Sequence, residues 1–145
     1  MFRLSTRSQY SLKAMLDLSL AGGNRAVSGR TIAQRQGIPA PFLEKILLDL
    51  RRAGLVVSHR GAQGGYRLAR PPELIRVSEI FLAVGESLTY PEPQPQQATD
   101  WVTRTLWRRL SGLCEQALQS LTLADLYYDV RSRMATDAEA FHFIV

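Results

Sequence analysis

Cysteine occurs once in the 145 residues, at Cys114, and histidine twice, at His59 and His142. One cysteine excludes an internal disulfide, and three residues scattered this way make no metal-ligand spacing. No apolar run approaches the roughly 18 residues that cross a bilayer. The opening Met-Phe-Arg-Leu-Ser-Thr-Arg lacks the apolar stretch of a signal peptide. A cytoplasmic protein with no membrane contact is therefore expected. No nucleophile–base pair, phosphate-binding glycine loop or dinucleotide fingerprint is visible, so an enzyme is not expected.

Acid is scarce in one half only. Residues 1–70 hold 12 of the 18 Lys and Arg residues and only three acids, Asp17, Glu44 and Asp49, a net charge of +9. Residues 71–145 hold six bases and ten acids, a net of −4. The front half is suited to meet phosphate.

Helical spacing starts at once. Tyr10, Ala14, Met15, Leu18 and Ala21 form one stripe of a helix from Ser5 to Ala21, and Leu12, Leu16 and Leu20 form a second. Two stripes require two neighbours, and Gly22-Gly23-Asn24 ends the helix. A short helix follows over Gly29–Gln36, with Ser28 as its N-cap, and Gly37-Ile38-Pro39 breaks it. A third helix runs from Ala40 to Ala53, stopped by Gly54. At roughly 100° per residue, Phe42, Leu43, Ile46, Leu47 and Leu50 share a core-facing arc. Pro41, Glu44, Lys45, Leu48, Arg51 and Arg52 face the other way. That outward face reads either as a solvated surface or as a polyanion contact.

A hairpin comes next. Leu55–Arg60 and Tyr66–Ala69 read as two strands, and Gly61, Gly64 and Gly65 let the chain reverse between them. Arg60 and Arg67 flank the turn. Taken alone this is an ordinary surface hairpin. After two helices joined by a tight turn, it completes the order helix, turn, helix, hairpin of a winged helix domain, in which the second helix enters the major groove.

Pro71-Pro72 breaks the chain, and a short helix spans Val77–Val84. Tyr90-Pro91-Glu92-Pro93-Gln94-Pro95 then reads as an extended linker. From Asp100 to Ser120 a long helix carries Val102, Leu106, Leu110, Leu113 and Ala117 in one stripe, widened by Trp107, Cys114, Leu118 and Leu121. So wide an apolar arc beyond a linker points to self-association, or to packing back onto the first helix, and both can hold in a dimer. Leu123–Val130 reads as a last short helix. The expected fold is thus mainly α with a small β-hairpin wing. A winged helix-turn-helix domain covers 1–89, a Pro/Gln-rich linker 90–99, a dimerisation helix with the short helix 100–130, and a C-terminal tail 131–145.

Leu4-Ser5-Thr6-Arg7 leading to Tyr10, Ile32-Ala33, Ile38 to Leu47, Leu50 to Val56, Arg60-Gly61, Gly64-Gly65-Tyr66 and Leu68-Ala69-Arg70 resemble, in register, the Rrf2 family of bacterial transcription regulators. Leu106-Trp107-Arg108 and Leu121 to Leu126 resemble its dimerisation region, so the match covers about residues 1–130. The resemblance implies a homodimer bound to a two-fold operator in double-stranded DNA, and the apolar stripe puts Leu106, Trp107, Leu110, Leu113 and Ala117 in the dimer contact. The family reads bases with a recognition-helix glutamate and an Arg-Gly at the wing tip, which fall here on Glu44 and on Arg60 and Gly61. A carboxylate can accept from cytosine N4. Pro41 stands where some relatives have a small polar contact residue, so that contact is lost or becomes apolar. Lys45, Arg51 and Arg67 are expected on phosphates, from face and charge.

Many relatives hold an iron–sulfur cluster on three cysteines between the short and long helices. Here that segment is the Pro/Gln linker, without cysteine, and the place of a histidine ligand in one branch is Arg104 or Thr105. One thiolate does not fill the usual four-cysteine coordination, so no cofactor is expected. Cys114 reads as a small buried hydrophobe, with a cluster shared across the dimer and a thiol switch as its other uses. The signal is left open among a small molecule, a protein partner, thiol redox and an unconventional cluster. The alternative function is a winged helix interaction module that docks an enzyme or regulatory partner through the acidic rear half.

Overall fold

The computed structural model of the protein describes residues 3–22, 24–87 and 94–142. The readings on Gly23, on the linker up to Pro93 and on the last three residues lie outside these. The first helix, α1, spans Thr6–Leu20. Ser5 caps it, its side chain accepting from the Ser8 N–H at 3.1 Å. Ala14, Met15 and Leu18 sink fully into the core, while Tyr10, Leu12, Leu16 and Ala21 pack at its margin. More than one neighbour meets this helix, as two stripes require: the helices over Gly29–Gln36, Ala40–Arg52, Val77–Ala83 and Leu123–His142 all pack against it.

Helix α2, Gly29–Gln36, begins at its Ser28 cap and ends on Gly37, whose φ of 63° a side chain would disfavour. Helix α3 covers Ala40–Arg52. Leu43, Ile46, Leu47 and Leu50 are buried, as their arc requires. Phe42 departs from that expectation. It is 39% exposed and meets the Tyr10 ring edge-on at 5.5 Å, because it stands in the first turn, above the core rather than in it. Gly54, at φ 73°, turns the chain into the hairpin.

Strands β1, Val56–His59, and β2, Gly65–Leu68, pair antiparallel with Val56 opposite Leu68 and His59 opposite Gly65. A third segment joins them: Val27 and Tyr66 exchange two backbone hydrogen bonds, both 2.8 Å. The glycines now have separate reasons. A Cβ on Gly65 would stand 2.3 Å from the Val27 carbonyl oxygen, and one on Gly64 2.4 Å from that of His59. Both allow close backbone approach within the protein. Only Gly61, at φ 115° with open space around it, is free for a ligand.

A 3-10 turn over Pro72–Leu74 leads to α4, Val77–Ala83. Helix α5, Ala98–Ser120, is long and has no buried residue, and α6 runs over Leu123–His142. The α5–α6 junction is clamped to the segment before α4: Val77 N–H donates to Leu121 O at 3.0 Å, and Leu123 N–H to Ile75 O at 2.8 Å. Leu123 is fully buried in the winged helix core, so the C-terminal helices share that core. It is α6 that packs against α1, and α5 touches α4 instead.

Helix α6 continues well past Val130, where the short helix was expected to end. Its start is a capping box, with Thr122 N–H donating to Asp125 Oδ2 at 2.9 Å and Asp125 N–H to Thr122 Oγ1 at 3.2 Å. No glycine or proline follows Gly112, and an Arg133–Asp137 pair at 3.2 Å supports the exposed turns.

Candidate nucleic-acid interface

The α2–α3 turn fixes how α3 is presented. Ile38 is buried, its N–H bound to Ala33 O at 3.0 Å, and Pro39 O accepts from the Phe42 and Leu43 N–H groups. With four apolar side chains seated inward, Pro41, Glu44 and Lys45 are left exposed on the first two turns. Leu48 is half-buried. Neither Glu44 nor Lys45 has an ion-pair partner among the described residues, so both are available to a ligand.

Two bonds hold this face against its surroundings. Arg51 Nη1 donates to Ser58 Oγ on β1 at 3.2 Å, joining α3 to the wing. Asp49 forms an ion pair with Arg7 of α1, and Arg52 approaches the same carboxylate at 3.9 Å. Arg7 stands in the sequence only as part of a family motif, with no partner assigned; nothing in periodicity marks a pair between residues 42 positions apart.

Arg60 and Gly61 form the exposed tip of the wing. Arg67 is half-buried, and its Nε donates to His59 Nε2 at 2.6 Å. Strand alternation sets their direction. Ser58 faces α3 through Arg51, so its neighbour His59, and with it Arg67, lies on the opposite face of the hairpin. The expected site residues therefore fall on two surfaces. Pro41, Glu44, Lys45, Arg51 and the wing tip occur along one, and Arg67 turns toward another.

That second surface was not read from the sequence. It is a cleft of about 1030 Å³ among the end of α1, the start of α2 and the wing, lined in part by Arg25, Arg35, His59 and Arg67. Arg25 and Arg35 flank the Ser28 cap in sequence, which is the only signal that could have found them.

The apolar arc of α5 is covered only at its end, where Leu118 packs against the core. Leu106, Trp107, Leu110 and Leu113 are 45–63% exposed, and Ala117 is exposed beside them. Cys114 is half-buried on the same helix.

Comparisons with known proteins agree with this architecture. A family model described as Rrf2, "Iron-dependent Transcriptional regulator", matches residues 4–129. A protein of Synechocystis sp., slr0846, whose name places it among HTH-type transcriptional regulators, is 49% identical over 99% of each chain. IscR of Vibrio cholerae, also an HTH-type transcriptional regulator, is 35% identical over 99% of this chain and 85% of its own. Among solved structures, CymR, the global cysteine regulator of B. subtilis, superposes with a TM-score of 0.79 at 33% identity, over 88% of this chain and 98% of that one. IscR of T. potens superposes with a TM-score of 0.74 at 40% identity, over 89% and 88%.

The iron in the family's description meets a poor ligand set here. Among the described residues no three His, Cys, Asp or Glu side chains gather where they could hold a metal ion, and the chain's one thiol lies within the apolar arc of α5. These residues do not fit a cysteine-held cluster. The winged helix-turn-helix architecture, the long C-terminal helices and the family match over residues 4–129 together make the chain a member of the Rrf2 family of transcriptional regulators, not of a family of enzymes.

Proposed function

We propose that the chain is a homodimeric, sequence-specific DNA-binding regulator that works in the cytoplasm without an iron–sulfur cluster. Helix α3 enters the major groove and the wing tip lies on the adjacent groove. Glu44 accepts from a base amine, and Arg60 donates to base edges beside Gly61, where the backbone has room to approach. Lys45 and Arg51 hold phosphates beside the major groove, Arg67 holds one beyond the wing, and Pro41 offers an apolar contact. The dimer forms through Leu106, Trp107, Leu110, Leu113 and Ala117. A small molecule or a protein partner carries the signal. The observation that carries this reading is the pair of exposed side chains Glu44 and Lys45, without ion-pair partners among the described residues, on a helix that buries Leu43, Ile46, Leu47 and Leu50, together with an exposed Arg60 at the wing tip.

The test is duplex binding by fluorescence anisotropy, using an operator selected from a random pool and a scrambled duplex of equal length. Wild type should prefer the operator, and Arg60→Ala should weaken operator binding by about 1–3 kcal/mol. Equal loss on both duplexes would leave Arg60 a phosphate contact, and no preference in the wild type would favour a protein-docking module instead.

A further inference from the structure

The cleft behind the wing has a chemistry that the duplex-reading face does not account for. Three guanidinium groups, Arg25, Arg35 and Arg67, line it, and no Asp or Glu does. Two of the three are held from behind. Arg35 donates through Nε at 3.1 Å and through Nη2 at 2.5 Å to Asp17, which is only 3% exposed. Gln36 Nε2 completes that carboxylate at 2.8 Å. Arg67 is oriented by His59 through its Nε alone. A guanidinium has five N–H donors, so Arg35 keeps Nη1 and Arg67 keeps both terminal nitrogens without an acceptor among the described residues. Arg25 is exposed and has no acceptor among them either.

The start of α2 faces the same space. Ser28 and Thr31 line the cleft, their hydroxyls 2.7 Å apart, and the positive end of the helix lies there. Two oriented guanidinium groups, the exposed Arg25, one spare hydroxyl hydrogen and a helix start line a cleft whose lining holds no carboxylate, with Asp17 offsetting the charge of Arg35 from behind. That is the donor set of an oxyanion site, since planar forks match the oxygens of phosphate or carboxylate two at a time.

We propose that this cleft binds a phosphate oxyanion through Arg25, Arg35 and Arg67. The oxyanion comes either from the backbone of the bound duplex beyond the wing or from a free phosphate-bearing molecule. Because Gln63 and Gly64 line the cleft and also belong to the wing loop, an occupant there fixes the wing that carries Arg60. Only the duplex source rests on the DNA-binding reading above.

The test uses the full chain and the variant Arg25→Gln/Arg67→Gln. Arg35 is left in place because it neutralises buried Asp17. Inorganic phosphate is titrated into ¹⁵N-labelled protein, with chloride holding the ionic strength constant, while the amides of Thr31 and Gly64 are followed. Separately, the salt dependence of duplex binding is measured for both proteins. A free-phosphate site gives saturable shifts at those amides, weakened at least about tenfold in the variant. A backbone site gives no saturable shift, but the variant's salt slope falls by about two per dimer, one phosphate from each cleft. If the wild type binds no duplex, the DNA-binding reading fails while the phosphate titration still decides the cleft. Absence of both signals, or phosphate shifts undiminished in the variant, would overturn the proposal.

Discussion

Gly65 shows how one missing side chain places a functional element. Its φ of 149° lies where L residues are rarely found, and the Val27 carbonyl oxygen occupies the space a Cβ would need. The Val27–Tyr66 bridge, which ties the wing to the start of α2, forms only because that space is empty. Gly65→Ala should therefore lower stability by about 1–3 kcal/mol through backbone strain alone, with more from the clash. Urea unfolding measures this, and an unchanged midpoint would show that the wing relaxes without cost. Asp17 is the opposite case, a buried carboxylate whose charge is met by Arg35 and Gln36 of α2. Glu86 works at the surface. Hydrogen bonds from the Ser5 and Ser8 hydroxyls, then the Ser5 N–H, hold its carboxyl below the ordinary glutamate value despite a small opposing effect of burial. The folded state thus binds this proton less readily than the unfolded one. Its stabilisation is present above the unfolded value and is lost as pH falls through the lower folded value. The stability gap between wild type and Glu86→Gln should accordingly be widest near neutrality and shrink below about pH 4.5. A gap that stays constant from pH 7 to pH 3 would assign the effect to shape rather than charge.

At the scale of elements, periodicity made most of the fold legible. The apolar arc of α3, the Ser28 cap and the glycine stops each depend on neighbours within a few positions, and each formed within a residue or two of its expected bounds. The exposure of Glu44 and Lys45 was legible for the same reason: they are what remains outside once the local pattern has placed its apolar side chains. Pairings distant in sequence were not. Arg7 with Asp49, Ser5 with Glu86, and the clamp of Ile75–Val77 on the α5–α6 junction leave no periodic trace. The cleft escaped for that reason as well, since its arginines come from a loop, a helix and a strand. Phe42 was misplaced because an angular arc ignores where the helix starts. The end of α6 was misplaced because a polar helix without breakers has no stripe to follow. Helix α5 has the inverse problem, a clear stripe whose Leu106, Leu110 and Leu113 stay exposed. Exposed Leu110 lies in the middle of that stripe. If the proposed dimer forms through this stripe, Leu110→Glu should convert it to a monomer while leaving the winged helix core folded, as read by light scattering and circular dichroism. A variant that still scatters as a dimer would move the interface elsewhere.

The molecule as a whole separates its charges: a net +9 in residues 1–70 and a net −4 in residues 71–145. The two halves nevertheless share one core through Leu123, so the proposed pairing of rear helices would bring two basic faces together. Duplex binding should then be doubly electrostatic. On the proposed reading, Lys45 and Arg51 of two protomers would contact at least four phosphates, and each released counterion adds about 0.9 to the slope of log affinity against log salt. The dimer should show a slope of about −3.6 or steeper. Separating the copies through Leu110→Glu should roughly halve it, because each monomer then meets one half-site alone. The affinity lost should exceed what one substitution far from DNA costs directly, since the second half-site no longer binds intramolecularly. Measuring slope and stoichiometry on the same duplex separates the explanations. A monomeric variant that keeps the full slope would mean one chain spans the whole charged contact, and the two-fold operator would have to be given up. A halved slope with a folded winged helix domain would tie the exposed arc of α5 directly to DNA recognition.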